Sequence, residues 1–264
     1  MCEPSLHRRI ALLICDVPVD AIREKHGDYT RIFGSLLEKS LQPINHTRSV
    51  DSQTTFTLEP FDVYTQIYPK DDKYDAMIIT EAGMDQTLIE YVRYVATEKP
   101  RIKIFGVCFG HQVIALAMGG TCVRNTREVS ATKLRLNELG KKVYGVESGA
   151  LNLHLMNRDH VPTTPPSFHI IVSSDHSRNH GMVRFSQSES SGDAPPLNFR
   201  LTDIHILTSQ GHPEFTESIM RMLLSARREL LGTEVVDDGQ SRAGNQNDGV
   251  AVVGKAMWGI MGVE

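Results

Sequence analysis

The chain has 264 residues, of which 40% are apolar and 23% are charged, and its formal net charge is −4. This length and composition suffice for a sizeable core in one domain, and the slightly acidic balance excludes the basic footprint of a nucleic-acid-binding protein. Because no apolar stretch reaches the ~20 residues that a membrane-spanning helix needs, we also exclude that class. We expect residues 1–264 to form a single soluble, cytoplasmic domain.

Strands and helices are predicted to alternate along the chain. The short apolar run at 10–15 ends without a small-residue cleavage site, which favours a buried strand over a signal peptide. The predicted strands are 9–15, 74–80, 102–107, 132–136, 150–156, 168–174 and 204–208, and the predicted helices are 29–39, 86–97 and one that begins at Gln112.

Three further segments have a uniform composition, two of them polar and one apolar. Residues 186–196 and 233–248 are rich in polar residues and glycine, and we expect both to be mobile surface loops. Residues 250–263 are apolar enough to form a closing helix or strand. The alternation, followed by a β-rich middle, predicts a doubly wound α/β fold with a mostly parallel sheet, helices on both faces and an antiparallel extension.

The most informative motif is the sequence IFGVCFGHQ at residues 104–112. Gly106 and Gly110 flank Cys108 between a predicted strand and a predicted helix. This arrangement is typical of a nucleophile elbow, because the turn is too tight for a Cβ atom on either side. The tip residue is exposed at the carboxyl edge of the sheet, where the amino terminus of the helix favours an anion. Cys108 is therefore predicted to be a thiolate nucleophile.

A proton-transfer partner for that thiolate lies downstream, in the sequence IHILTSQGHPEF at residues 204–215. His212 can take and return a proton, and Glu214 can hold the imidazole in the useful tautomer. Pro213 favours an extended segment in which the two side chains point the same way. We predict that Cys108, His212 and Glu214 form a catalytic triad.

The two motifs together resemble those of the class I, or triad-type, glutamine amidotransferases. The family pattern G-x-C-x-G-x-Q matches residues 106–112, and its G-H-P-E pattern matches residues 211–214. Residues 155–161 and 179–182 also look like those of the stand-alone, single-domain members, and the resemblance extends over about residues 8–262. It implies a flavodoxin-like α/β domain and a Cys-His-Glu enzyme that cleaves a γ-glutamyl amide through a thioester.

The resemblance further implies how the substrate is bound. The main-chain N–H of Phe109 would supply one half of an oxyanion hole. The other half would come from the loop that ends at Gly83. Gln112 would contact the α-amino acid end of the substrate. Amide cleavage of this kind requires no cofactor.

Three segments differ from the family pattern. Residues 80–83 read TEAG where relatives carry Thr-Gly-Ser or Gly-Gly. Residues 126–130 read TREVS in place of G-W-E-x-G and keep only Glu128, and residues 156–159 read MNRD in place of M-H-x-D. We expect Glu128, Asn157 and Arg158 to contact the substrate, although Glu128 is equally compatible with a structural role. The edited pocket predicts that the substrate is not free glutamine, or not only glutamine.

The other cysteines and histidines do not indicate a metal site. The four cysteines show neither a disulfide framework nor a zinc pattern, and we expect Cys15 and Cys122 to be small core residues. The histidines between residues 154 and 180 match no standard zinc spacing, so we predict no bound metal.

Three enzymatic functions stay open at this point. The protein could be a glutaminase that feeds ammonia to a separate synthase subunit. It could be a γ-glutamyl peptidase that acts on glutathione-type conjugates. It could also be a recruited biosynthetic enzyme that uses Cys108 on another small-molecule substrate. A non-enzymatic scaffold is the fourth reading, and the intact triad argues against it.

Overall fold

The structure is a computed structural model, and it describes residues 6–82, 86–186 and 194–264. These residues form one nine-stranded sheet with helices on both faces. In chain order the strands are β1 (His7–Cys15), β2 (Thr55–Asp62), β3 (Ala76–Ala82), β4 (Lys103–Val107), β5 (Val123–Leu136), β6 (Ala150–His160), β7 (Phe168–Ser173), β8 (Gly181–Phe185) and β9 (Ile204–Ser209). The helices are α1 (Asp20–His26), α2 (Tyr29–His46), α3 (Gln86–Glu98), α4 (Phe109–Ala117), α5 (Glu138–Tyr144), α6 (Glu217–Ala226), α7 (Arg228–Leu231), α8 (Thr233–Arg242) and α9 (Lys255–Ile260).

The strand order is β2-β1-β3-β4-β9-β8-β7-β5-β6. The first five strands in that order are parallel, and each later pairing is antiparallel. The predicted α/β fold with a parallel sheet and an antiparallel extension is therefore confirmed. Because β4 and β9 are adjacent and parallel, the segments that follow them meet at one edge of the sheet.

The sheet is buried on both faces, which explains the continuous apolar runs in its central strands. Successive residues of a strand point to opposite faces, so Leu12 of β1 contributes to one core and Leu13 to the other. The larger core includes Phe33 of α2 and Trp258 of α9, both fully buried. The smaller core lies under α3 and α4.

Strand β2 was not predicted from the sequence. It is an edge strand whose residues are mostly half-buried or exposed, so it lacks the apolar run of a central strand. Pro60 lies within it, which is compatible only with an edge or irregular position. The sheet edge therefore depends on pairing with β1, in register from His7 with Thr55 to Ile14 with Asp62.

Residues 233–248 are only in part the loop that their composition predicts, because the first ten of them are helical. Residues Thr233–Arg242 form α8, with Val236 fully buried. The Arg242 guanidinium donates hydrogen bonds to the carbonyl oxygens of Ala131 (2.6 Å) and Val129 (2.9 Å) on β5. These tertiary contacts stabilise a helix whose polar sequence gives little local signal.

The predictions for residues 250–263 and 186–196 have different outcomes. Residues 250–263 were expected to form a helix or a strand, and they are helical: a π-helical segment, Gly249–Gly254, leads into α9. The second predicted loop, 186–196, falls largely on residues 187–193, which lie outside the described ranges. In the part of the chain that the structure describes, no helix is long and apolar enough to cross a bilayer.

Candidate active site

Cys108 occupies the turn between β4 and α4. Its backbone has φ 51° and ψ −102°, a combination that non-glycine residues rarely adopt. Strain of this kind costs about 1–3 kcal/mol and is found where the surrounding structure imposes it, often at active sites. The strand-to-helix turn predicted from the glycine spacing is present.

The two flanking glycines are required by close packing. A Cβ atom on Gly106 would lie 2.5 Å from the Ile114 side chain and 2.7 Å from the Gly110 carbonyl group. A Cβ atom on Gly110 would overlap the main-chain carbonyl oxygen of Ile79. The elbow is thus wedged between its own helix and the neighbouring strand β3.

His212 and Glu214 lie beside the elbow, in the segment that follows β9. The imidazole Nδ1 is 2.8 Å from Glu214 Oε1, and both side chains are almost fully buried. The ring of Phe215 stacks on the imidazole, with centroids 3.9 Å apart and planes at 5°. The main-chain N–H of His212 donates to the carbonyl oxygen of His154 on β6 (2.9 Å). The imidazole is therefore held by contacts on several sides.

The electrostatics of His212 join it to Cys108. Burial by itself would lower the pKa of His212, but the Cys108 sulfur and the Glu214 carboxylate, which both hydrogen-bond the imidazole, raise that pKa well above its ordinary value. The imidazole is consequently held in its charged form at neutral pH. The structure thus brings together the three predicted triad residues, in the order thiol, imidazole, carboxylate.

The C-terminal segment braces the loop that carries His212 and Glu214. Asn247 Nδ2 donates to the carbonyl oxygen of Phe215 (2.6 Å), and Gly249 packs so closely on Pro213 that a Cβ atom would overlap the proline carbonyl. Asp248 accepts hydrogen bonds from the main chain and side chain of Asn152 on β6. Sequence reasoning missed this support, because it joins segments that are more than 30 residues apart.

Gln210, which was not among the predicted site residues, contacts Cys108, and Gln112 contacts Gln210. Gln210 is fully buried, and its Nε2 atom is 3.5 Å from Cys108 Sγ. Gln112 Nε2 donates to Gln210 Oε1 (3.1 Å) and to the carbonyl oxygen of Asp159 (3.0 Å). The signal that could have found Gln210 is a polar side chain two residues before His212, directly after an apolar strand.

Glu128 and Asn157 face each other across the β5–β6 ladder. Glu128 accepts a hydrogen bond from Ser174 Oγ (2.8 Å), and its Oε2 is 3.0 Å from His180 Nε2. Burial would raise the pKa of Glu128, but the hydrogen bond and charge of His180 lower it below its usual value, so the carboxyl is ionised. The side-chain amide of Asn157 is buried, and neither its nitrogen nor its oxygen has a hydrogen-bond partner among the residues that the structure describes.

The other predicted substrate-binding residues have different positions. Arg158 is exposed and does not join Glu128 and Asn157, because adjacent residues of a strand point to opposite faces. Phe109 is the first residue of α4, where main-chain N–H groups lack intrahelical acceptors, as its predicted oxyanion role requires. Gly83 lies outside the described residues. Among the residues that are described, no three His, Cys, Asp or Glu side chains converge as metal ligands.

Comparison with known proteins identifies the family to which the chain belongs. The family described as "Glutamine amidotransferase class-I" matches residues 44–227, more than half of the chain. The chain belongs to the class-I glutamine amidotransferase family.

Individual relatives cover most of the chain. A glutamine amidotransferase-like protein of Schizosaccharomyces pombe is 28% identical over 246 residues, which is 88% of each chain. "Gamma-glutamyl peptidase 3" of Arabidopsis thaliana is 23% identical over 252 residues, 89% of this chain and 88% of the other. The crystal structure of a glutamine amidotransferase from Thermotoga maritima superposes with a TM-score of 0.68 at 12% identity, covering 97% of this chain and 98% of that one. That last likeness shows that the fold is shared.

The other described cysteines should be far less reactive than Cys108 toward alkylating agents. Burial, with smaller contributions from nearby carboxylates, raises the pKa of Cys15 to about 12, and burial together with Asp159 and Cys108 raises that of Cys122 to about 11. Because the thiolate is the reacting form, iodoacetamide at pH 7 should modify Cys108 at least about 100-fold faster than Cys122. Peptide mass spectrometry over a time course would measure this, and equal rates at the two sites would contradict it.

Proposed function

We propose that the protein is a cysteine-nucleophile amidase that cleaves γ-glutamyl amides through a covalent thioester. One observation carries this proposal: Cys108 lies at the tip of a strained strand-to-helix turn, and the buried His212 imidazole, which is hydrogen-bonded to Glu214, has its pKa raised by Cys108 and Glu214. A cysteine, a histidine and an orienting carboxylate in this order suffice for nucleophilic acyl transfer.

The first half of the reaction forms the thioester. The Cys108 thiolate attacks the γ-carbonyl carbon, and the oxyanion receives a hydrogen bond from the Phe109 main-chain N–H. The C–N bond then breaks as His212 Nε2 donates its proton to the leaving nitrogen, which departs as ammonia or an amine.

The second half releases glutamate. Neutral His212 removes a proton from a water molecule, and the resulting hydroxide attacks the thioester carbonyl. That proton restores the imidazolium, and collapse of the tetrahedral intermediate breaks the C–S bond, which releases glutamate and the Cys108 thiolate. Glu214 keeps the Nδ1 proton of the imidazole in place throughout, so that Nε2 is the atom that exchanges protons.

Access to the nucleophile indicates where the substrate enters. Cys108 and Gln112 each keep 8% of their surface exposed, whereas His212 and Gln210 are completely buried. The substrate therefore approaches on the side that Cys108 shares with Gln112. We infer that Gln112 contacts its α-amino acid end there, close to Asp159 of β6.

Residues 126–130 and 156–159 differ from the family pattern, which favours substrates other than free glutamine. Glu128 and Asn157 of these two segments face each other on β5 and β6. A γ-glutamyl peptide activity is the second candidate, and the similarity to the Arabidopsis γ-glutamyl peptidase over most of both chains favours it. A glutaminase that passes ammonia to a separate synthase is the alternative that the experiment must separate.

A substrate panel with the purified protein tests the proposal. Glutamine, a γ-glutamyl dipeptide and a glutathione S-conjugate would each be incubated with the protein and with its Cys108→Ala variant, and the products identified by mass spectrometry. We expect cleavage of a γ-glutamyl peptide bond that depends on Cys108. Rapid hydrolysis of glutamine alone would assign the glutaminase function, and no Cys108-dependent cleavage of any member would refute the amidase proposal.

A further inference from the structure

Gln210 is placed to act on the nucleophile although it belongs to none of the motifs that define the triad. It follows β9 directly and is fully buried. Its main-chain N–H donates to the carbonyl oxygen of His180 (2.8 Å), which fixes its backbone, and its side chain ends 3.5 Å from Cys108 Sγ. A buried amide in contact with a reacting sulfur influences which protonation state that sulfur prefers.

A chain of hydrogen bonds determines which end of the Gln210 amide faces the sulfur. The carbonyl oxygen of Asp159 can only accept, so the Gln112 atom 3.0 Å from it is the amide nitrogen. The second N–H of that nitrogen points at Gln210, whose facing atom must then be its oxygen, 3.1 Å away. The NH₂ group of Gln210 is consequently directed at Cys108 Sγ. A flipped amide would place two donors against each other and an oxygen against the sulfur.

We propose that Gln210 is a thiolate-stabilising residue, which donates a hydrogen bond to Cys108 Sγ and is oriented for this task by Gln112. An N–H donor stabilises the anion more than the neutral thiol, since hydrogen bonds to charged acceptors are about twice as strong as neutral ones. The Gln210 amide would then act on the sulfur together with His212, whose pKa Cys108 raises. This role rests on Cys108 being the nucleophile of the proposed amidase.

Gln112 contacts Gln210 and is also the residue that we expect to bind the substrate. Both N–H groups of Gln112 are engaged, one by Asp159 and one by Gln210. A substrate that binds Gln112 therefore contacts the same amide chain that holds the sulfur.

The test measures the pH dependence of Cys108 alkylation, which requires no substrate turnover. Gln210→Met keeps a similar volume but removes the donor. We expect the pH at which alkylation by iodoacetamide reaches half of its maximal rate to rise by about one unit, which corresponds to about tenfold slower alkylation below that midpoint. Gln112→Met should move the midpoint in the same direction by less, because it removes only the orienting contact.

Controls separate this role from a structural one. Gln240→Met makes the same change on α8, where Gln240 contacts Arg221 and Ser225, and its midpoint should equal that of the unmodified protein. Circular dichroism shows which variants fold. If Gln210→Met is unfolded, the alkylation midpoint of Gln112→Met is the deciding measurement. A shift of one pH unit requires a precision on the order of 0.2 units. The proposal would be overturned if the alkylation midpoints of the folded variants stayed within that range of the unmodified protein. A shifted midpoint without cleavage of any amide would instead support Gln210 and refute the amidase function.

Discussion

Replacement of Cys108 by alanine is expected to lower the turnover number for a γ-glutamyl amide by at least about 10⁴-fold without unfolding the protein. The substitution removes the sulfur atom that would form the proposed thioester. Alanine keeps the same Cβ atom, so the positive φ of the elbow is no more strained than before. Steady-state kinetics on the best substrate of the panel, with thermal unfolding as the measure of folding, would check both parts.

Cys122→Ala is the matched control for this loss. Cys122 is a half-buried thiol near enough to Cys108 to feel its charge, but it lies outside the triad. We expect its turnover number to stay within about twofold of that of the unmodified protein, as is usual for substitutions away from the reacting groups. A change in substrate positioning alone can lower the turnover number by about tenfold. If Cys108→Ala lost no more than that, Cys108 would not be the nucleophile.

Replacement of Gly110 by alanine should destabilise the fold by about 3 kcal/mol, which is large for the addition of one methyl group. The new Cβ atom overlaps the Ile79 carbonyl of β3, so α4 must move away from the sheet. Because α4 begins directly after Cys108, we also expect loss of cleavage in whatever fraction still folds. Urea unfolding followed by circular dichroism would measure the free energy of unfolding.

Gly34→Ala is the matched control, because the same substitution is expected there to stabilise the fold. Gly34 lies within α2, and a Cβ atom there has no neighbour within 4 Å. Alanine has the higher helix propensity, so this variant should be more stable by up to about 1 kcal/mol. A destabilisation of Gly110→Ala no greater than about 0.5 kcal/mol, the range of ordinary surface substitutions, would show that the elbow is looser than the packing indicates.

The elements with strong local signals were predictable from the sequence. The strand-to-helix turn depends on three residues within five consecutive positions, Gly106, Cys108 and Gly110, and on a buried strand that precedes the turn. The His212–Glu214 contact is likewise local, since the two side chains are two residues apart. Central strands such as β1 are buried on both faces, so their apolar runs identify them without tertiary information.

Elements stabilised by distant contacts were not predictable in this way. Strand β2 exists because it pairs with β1, and α8 exists because Arg242 binds carbonyl oxygens of β5. Neither segment has an apolar run that would indicate its structure. The length of β5 was also underestimated, because its first residues are exposed or half-buried and are held by pairing with β6.

The sequence alone determined the groups on which the proposed chemistry depends: a thiol at the tip of a tight turn, and an imidazole with its carboxylate two residues away. Only the tertiary structure decided how that chemistry is held and tuned. The contact of the Gln210 amide with Cys108, the contact of Glu128 with His180, and the support that Asn247 and Gly249 give the loop of His212 all join residues far apart in the chain. Such contacts depend on which strands become neighbours in the sheet, and local sequence patterns do not encode that order.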